Sequence, residues 1–213
     1  MFIINTEEWR HLSVLVGVCT ETSCTFFADQ RSTRTLKDGT TAETKDDAQK
    51  IFKVNDRLLY GVTGFLPDWE PITGPLDGLQ DTDRLNADDL LGIIIEYLNA
   101  NELRLRDAGA GRIYVIGGVN RDGEYCIYKL HVSVSTYEIF VDEVNPAKDG
   151  HPIGIIYCTP PSLSTRLREF ESGLSDTIQS SDAGTMNENV AAYIREQTKD
   201  DPWVGGEIQC LVV

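Results

Sequence analysis

The chain has 213 residues, 41% hydrophobic and 25% charged, an ordinary composition for one globular domain that buries its core without disulfides or metals. Its net charge of −15, from 34 acidic and 19 basic residues, repels phosphate backbones and argues against a nucleic-acid partner. No apolar run reaches the roughly 18 residues of a membrane span, and residues 1–8 lack a signal peptide's basic start and apolar stretch, so no membrane partner and a cytoplasmic location are expected.

In chain order, residues 13–31 read as a hairpin. Val14, Val16 and Val18 alternate along its first arm, Glu21, Thr22 and Ser23 turn, and residues 24–28 return to Asp29. Gly17 within the first arm marks a bulge or a close backbone approach. Residues 32–49 form a polar stretch with its turn at residues 37–40. A second hairpin follows, residues 50–54 and 57–62, in which Lys50, Phe52 and Val54 face opposite to Ile51 and Lys53. Three prolines and two glycines make residues 65–84 an irregular loop.

Residues 85–105 predict a helix. Asn86 is its N-cap, and Asp88 and Asp89 sit in the first turn, where the helix dipole favours them. Its apolar residues cover most of the circumference, which predicts burial on more than one side. Strands are expected at 112–119, 125–130, 138–141 and 153–158, helices at 164–179 and 187–199, and a last strand at 206–213. Antiparallel hairpins with helices in separate blocks argue for an α+β sandwich of two stacked antiparallel sheets, with the 85–105 helix on one outer side and the late helices paired with it or beside it.

Five cysteines, at 19, 24, 126, 158 and 210, show no CxxC spacing, so no metal is expected. Cys126, Cys158 and Cys210 lie in apolar runs and read as small buried hydrophobes in a reducing compartment. His11, His131 and His151 read as structural, and Trp69 and Trp203 as packing residues or pocket walls.

Several stretches, spread in order over nearly the whole chain, resemble the β-type subunits of the proteasome. They are Ser13 to Val18 with Phe26 to Arg31; Lys50 to Asp56; Thr63-Gly64 with Asp68 beyond; Ile116 to Val119 with Asp122-Gly123; and Asp201 with Gly205-Gly206 and Ile208. The resemblance implies the N-terminal-nucleophile hydrolase fold, an αββα four-layer sandwich, with residues 1–12 as an N-terminal extension or propeptide and residues 13–213 as one domain. It also implies a homo-oligomeric ring, a peptide or protein substrate, and no cofactor.

In that family the first residue of the mature chain attacks the scissile carbonyl. Its own α-amine, unperturbed near pH 8, helps to carry the proton. A lysine held by an aspartate stabilises the alkoxide, and a backbone N–H meets the oxyanion. By register the nucleophile falls on Ser13, the aspartate on Asp29 sixteen residues on, and the lysine on Lys45 another sixteen on, with Lys37 and Lys50 as alternatives. Gly64 falls on the oxyanion glycine and Asp201 on the aspartate that supports the N-terminal residue. The lysine is expected within about 4 Å of the Asp29 carboxylate.

The sequence departs mildly from the family at Ser13, where the family has a threonine and serine can do the same hydroxyl chemistry, and further at three places. Val204 replaces a serine that bonds the α-amine, residues 158–162 replace a Gly-Ser-Gly turn, and Leu12 rather than glycine precedes Ser13. Two functions are therefore carried forward. One is a proteasome-like peptidase or amidohydrolase with Ser13 as nucleophile after loss of residues 1–12. The other is an inactive, ring-forming structural subunit.

Overall fold

The computed structural model describes residues 8–11, 13–35, 41–67, 72–107, 111–133, 136–182 and 184–213. The turn expected at 37–40, Asp68, Trp69, Leu12 and residues 1–7 of the extension lie outside them.

Among the described residues the chain forms twelve strands: β1 (Glu8–His11), β2 (Leu15–Thr20), β3 (Cys24–Ala28), β4 (Ser32–Thr35), β5 (Thr41–Lys45), β6 (Ile51–Asn55), β7 (Leu58–Pro67), β8 (Arg112–Val119), β9 (Tyr125–Val132), β10 (Ile139–Val144), β11 (Ile153–Cys158) and β12 (Gln209–Val212). The helices are α1 (Ala87–Ala100), α2 (Glu102–Asp107), α3 (Pro146–Asp149), α4 (Leu167–Ser180) and α5 (Met186–Thr198). Four strands form one antiparallel sheet in the order β11-β2-β3-β12. The other eight form a second antiparallel sheet, β10-β9-β8-β7-β1-β4-β5, with β6 also paired to β7.

Period-two alternation sorts the side chains of β2 and β3 into two cores. Val14, Val16, Val18 and Phe27 pack under Phe170, Leu174 and Ile178 of α4 and Val190 and Ile194 of α5. Leu15, Cys19, Cys24 and Phe26 point the other way, where they meet Ile51, Leu59, Val115 and Ile127 of the larger sheet. On the far face of the larger sheet, Tyr60, Val62, Tyr114, Ile116 and Leu130 pack under Ala87, Leu90, Ile94 and Leu98 of α1. Gly17 is a close approach and not a bulge, because the β2–β3 register runs unbroken. A Cβ there would lie 3.1 Å from Phe26 Cε1, and one at Gly117 of the opposite sheet only 2.6 Å from it. Two bare backbones thus make room for one aromatic ring between the sheets.

Helix α1 starts as its sequence dictates. The Asn86 side chain accepts from Asp89 N at 3.0 Å, and Asp89 Oδ2 accepts from Asn86 N at 3.3 Å, a reciprocal capping box.

Several expectations need correction. The helix expected over 85–105 is split at Asn101 into α1 and α2, and α1 is fully buried along one stripe only, with Leu91, Ile93 and Ile95 half-buried. The late helices do not join α1; they pack on each other and on the smaller sheet. Cys210 is exposed, because it lies on β12 at a sheet edge, whereas the other four thiols are buried. The polar stretch after Arg31 is a β4–β5 hairpin, and the N-terminal extension contributes β1. No described helix is long and apolar enough to cross a membrane.

Candidate functional site

Asp29 ends β3 beside the start of β2. The two are tied by a backbone bond from Asp29 N to Val14 O at 3.3 Å and by Val14 N donating to Asp29 Oδ1 at 3.1 Å. This places Ser13, the residue before Val14, at the corner of the smaller sheet. Lys50 leads into β6 of the larger sheet, and its Nζ donates to Asp29 Oδ1 at 2.9 Å. The ion pair therefore bridges the two sheets, with side-chain exposures of 1% and 0%. Asp29 Oδ2 accepts from Arg31 N at 2.9 Å and from Gly205 N at 3.3 Å, which brings in the closing segment.

Four donors on one carboxylate are what a buried charge requires. Burial pushes the Asp29 carboxyl above its ordinary value, opposed by Lys50 and the backbone N–H groups. Burial likewise pulls Lys50 below the usual lysine value, opposed by Asp29.

Lys45 is not part of this site. It ends β5, is 49% exposed and pairs with Glu43 at 3.2 Å. The sixteen-residue spacing fails because the β4–β5 hairpin lies between Asp29 and the buried lysine, and that hairpin carries Lys45 outward. Lys50, the weighed alternative, makes the ion pair with Asp29.

Arg31 anchors the base of the same hairpin. Its Nε and Nη2 donate to Asp46 at 2.7 and 2.8 Å, and its Nη1 to Pro202 O at 3.3 Å. A side chain at Gly205 would collide with the Arg31 guanidinium, so glycine there lets the closing segment reach Asp29. Asp201 shapes that segment: its Oδ1 accepts from Trp203 N at 2.7 Å, and its own N–H donates to Thr198 O at the end of α5. Val204 is buried in the same apolar cluster as Val14.

Ser13 is 3% exposed, and its Oγ has no hydrogen-bond partner among the described residues; the same holds for Thr33 Oγ1. An unpartnered buried hydroxyl costs about 1–3 kcal/mol, which marks both positions as unusual.

Gly64 sits where β7 is flanked by two strands, opposite Arg112 of β8 and His11 of β1. Its φ is +108°, and a Cβ would lie 2.6 Å from the Gly111 carbonyl oxygen. Gly64→Ala is therefore expected to cost roughly 1–3 kcal/mol, read as a lower urea midpoint.

The feature that sequence reasoning missed is β1. Its Glu8, Trp9, Arg10 and His11 pair antiparallel with Pro67, Leu66, Phe65 and Gly64 of β7. On its other side Glu8, Trp9 and Arg10 pair antiparallel with Thr35, Arg34 and Thr33 of β4. The chain just before Ser13 thus lies as an extended strand in a slot with a backbone edge on each side.

No family model matches this sequence, and no curated protein matches it. Solved structures do share its fold. Eukaryotic HslV from Trypanosoma brucei is 14% identical with a TM-score of 0.51, over 93% of this chain and 98% of that one. Anbu, an ancestral beta-subunit, from Yersinia bercovieri is 13% identical with a TM-score of 0.51, over 93% and 80%. A mutant of Anbu from Hyphomicrobium sp. strain MC1 is 10% identical with a TM-score of 0.54, over 94% and 82%. At these identities the likeness is one of fold, and at that level it supports the proteasome-like resemblance.

Proposed function

We propose that the chain is a proteasome-like N-terminal-nucleophile hydrolase whose peptide slot is filled by its own N-terminal strand. The observation that carries this reading is β1, an extended segment held antiparallel on both sides and ending two residues before Ser13, which leads into the Asp29–Lys50 corner. Extended peptides bind sheet edges in this way, because backbone bonds give affinity without fixing sequence. The three apolar clusters support a four-layer αββα arrangement, with α1 outside one sheet and α4 and α5 outside the other.

In this reading, cleavage between Leu12 and Ser13 frees the Ser13 amine. The Oγ attacks a peptide carbonyl and its proton passes to that amine, which can hold it near neutrality. The Lys50 ammonium, fixed by Asp29, stabilises the alkoxide. The Gly64 N–H meets the oxyanion; the peptide C–N bond then breaks as the leaving amine takes the proton held by the Ser13 amine, and water hydrolyses the acyl group left on Ser13. Asp201 and Gly205 hold the closing segment against this corner.

A second reading rests on Val204. That position is 5% exposed and apolar, so a freed Ser13 ammonium gains no acceptor from its side chain. An inactive ring-forming subunit would keep the fold and residues 1–12.

Intact mass and a fluorogenic peptide assay separate the two. The hydrolase reading expects loss of residues 1–12 and turnover, both absent in Ser13→Ala. A folded chain that keeps its extension and turns over no peptide supports the structural reading. Both readings expect a homo-oligomeric ring, so light scattering should report a multiple of the subunit mass, which is 23.7 kDa for the uncut chain and lower once residues 1–12 are lost. A monomer at all concentrations would contradict the ring.

A further inference from the structure

The tip of the β2–β3 hairpin holds two thiols in contact. Cys19 Sγ and Cys24 Sγ are 3.2 Å apart, and both residues are fully buried between the sheets. Among the described residues no other pair of cysteines makes such a contact.

The register explains the contact. Asp29 N donates to Val14 O near one end of the hairpin, and Thr20 N donates to Ser23 O at the other. Even-numbered residues of β2 therefore occupy hydrogen-bonded pairs, and Cys19 with Cys24 falls on a non-hydrogen-bonded pair. In such pairs the Cα atoms approach to about 4.5 Å and the side chains lie closest. A disulfide needs Cα atoms about 4.4–6.8 Å apart, so a small side-chain rotation closes the bond and the ladder stays intact.

The site is shielded but lies next to an exposed turn. Glu21 and Thr22 are exposed, and beyond β3 the backbone of Cys24 is paired only with Val213, at 2.9 and 3.0 Å. The Cys24 thiol is pushed up by its hydrogen bond with Cys19 and by burial, so it stays protonated in the closed fold. Reaction thus requires the tip to open, or occurs before the sheets close over it.

We propose that Cys19 and Cys24 are a modification site that closes to a cross-strand disulfide when the chain meets a low-molecular-weight disulfide oxidant. One cysteine thiolate attacks the oxidant to give a mixed disulfide and releases one thiol. The second cysteine then displaces the other half as a second thiol. Two protons and two electrons leave the protein, and one S–S bond of the oxidant is reduced. The inference is independent of the catalytic reading.

The test uses the full chain and oxidised glutathione, once on the native protein and once during refolding from denaturant, followed by denaturing alkylation. Trypsin cuts after Arg10 and Arg31, so both cysteines fall in one peptide, residues 11–31 of the uncut chain or 13–31 of a chain that begins at Ser13. The expected product is that peptide about 2 Da lighter and unalkylated, restored by dithiothreitol, with Cys126, Cys158 and Cys210 still alkylated. Oxidised chain is expected to melt several degrees above reduced chain, a difference that Cys24→Ala removes. Alkylation of both Cys19 and Cys24 after both treatments would overturn the proposal. So would a disulfide joining either of them to Cys126, Cys158 or Cys210.

Discussion

Exchanging Lys50 for methionine is expected to lower stability by about 3–5 kcal/mol and to leave no self-cleavage and no peptide turnover. The stability loss comes from Asp29, which would remain fully buried with its charge unpaired. Asp29→Asn fares no better, although it is nearly isosteric. Each carboxylate oxygen now faces N–H donors, Val14 N and Lys50 Nζ on one side and Arg31 N and Gly205 N on the other. An asparagine would turn its own NH2 towards one of those sets. Lys45→Ala is the control. Its partner Glu43 is 42% exposed, and such surface pairs contribute about 0–1 kcal/mol, so stability and activity should both stay near wild type. Urea midpoints and turnover per folded molecule, measured on all three variants, separate the structural from the catalytic share. A folded, active Lys50→Met protein would remove Lys50 from the mechanism. A dead Lys45→Ala protein would restore the simple spacing argument.

The parts of the fold legible in the sequence are those with a buried face. β8 was expected at 112–119 and β11 at 153–158, and both are observed there, because runs such as Ile153, Ile155 and Ile156 have few uses outside a covered sheet. The capped start of α1 was equally plain, since Asn86 with Asp89 is a local signal independent of tertiary structure. The strands β1, β4 and β5 were not expected. They lie at one end of the larger sheet, and β4 and β5, with sequences Ser-Thr-Arg-Thr and Thr-Ala-Glu-Thr-Lys, show no apolar alternation to mark a core face. The Thr-rich runs flanking residues 37–40 were the available hint, because β-branched residues around a turn favour a hairpin. The lysine assignment failed for the same reason: counting residues from Asp29 cannot register an unrecognised hairpin. The better signal lay at Lys50 itself, directly before the strand residues Ile51 and Phe52, where a side chain is held by the sheet.

A chain that begins at Ser13 is expected to turn over peptides at least on the order of 10²-fold faster than the uncut chain, whose Ser13 nitrogen is an amide and whose slot is occupied. The sheet order also predicts a structural change. The path runs β7-β1-β4-β5, so β1 is what joins the β4–β5 hairpin to the larger sheet. Removing β1 deletes four residue pairings with β7 and three with β4. The hairpin then stays attached at its base, where Arg31 grips Asp46, while its free strand edge is left to water. Amide exchange should accelerate in residues 32–35, 41–45 and 64–67. Residues 58–63 should stay protected, because β6 and β8 still flank that half of β7. A synthetic peptide matching residues 8–12, added in trans, should slow exchange at both edges again and inhibit turnover, since it refills the slot with the same backbone bonds. If the truncated chain keeps its protection and turns over nothing, β1 is a structural strand and the inactive-subunit reading holds. If protection is lost without turnover, the slot binds peptide but Val204 leaves the Ser13 amine unsupported, and Val204→Ser becomes the variant that should recover hydrolysis.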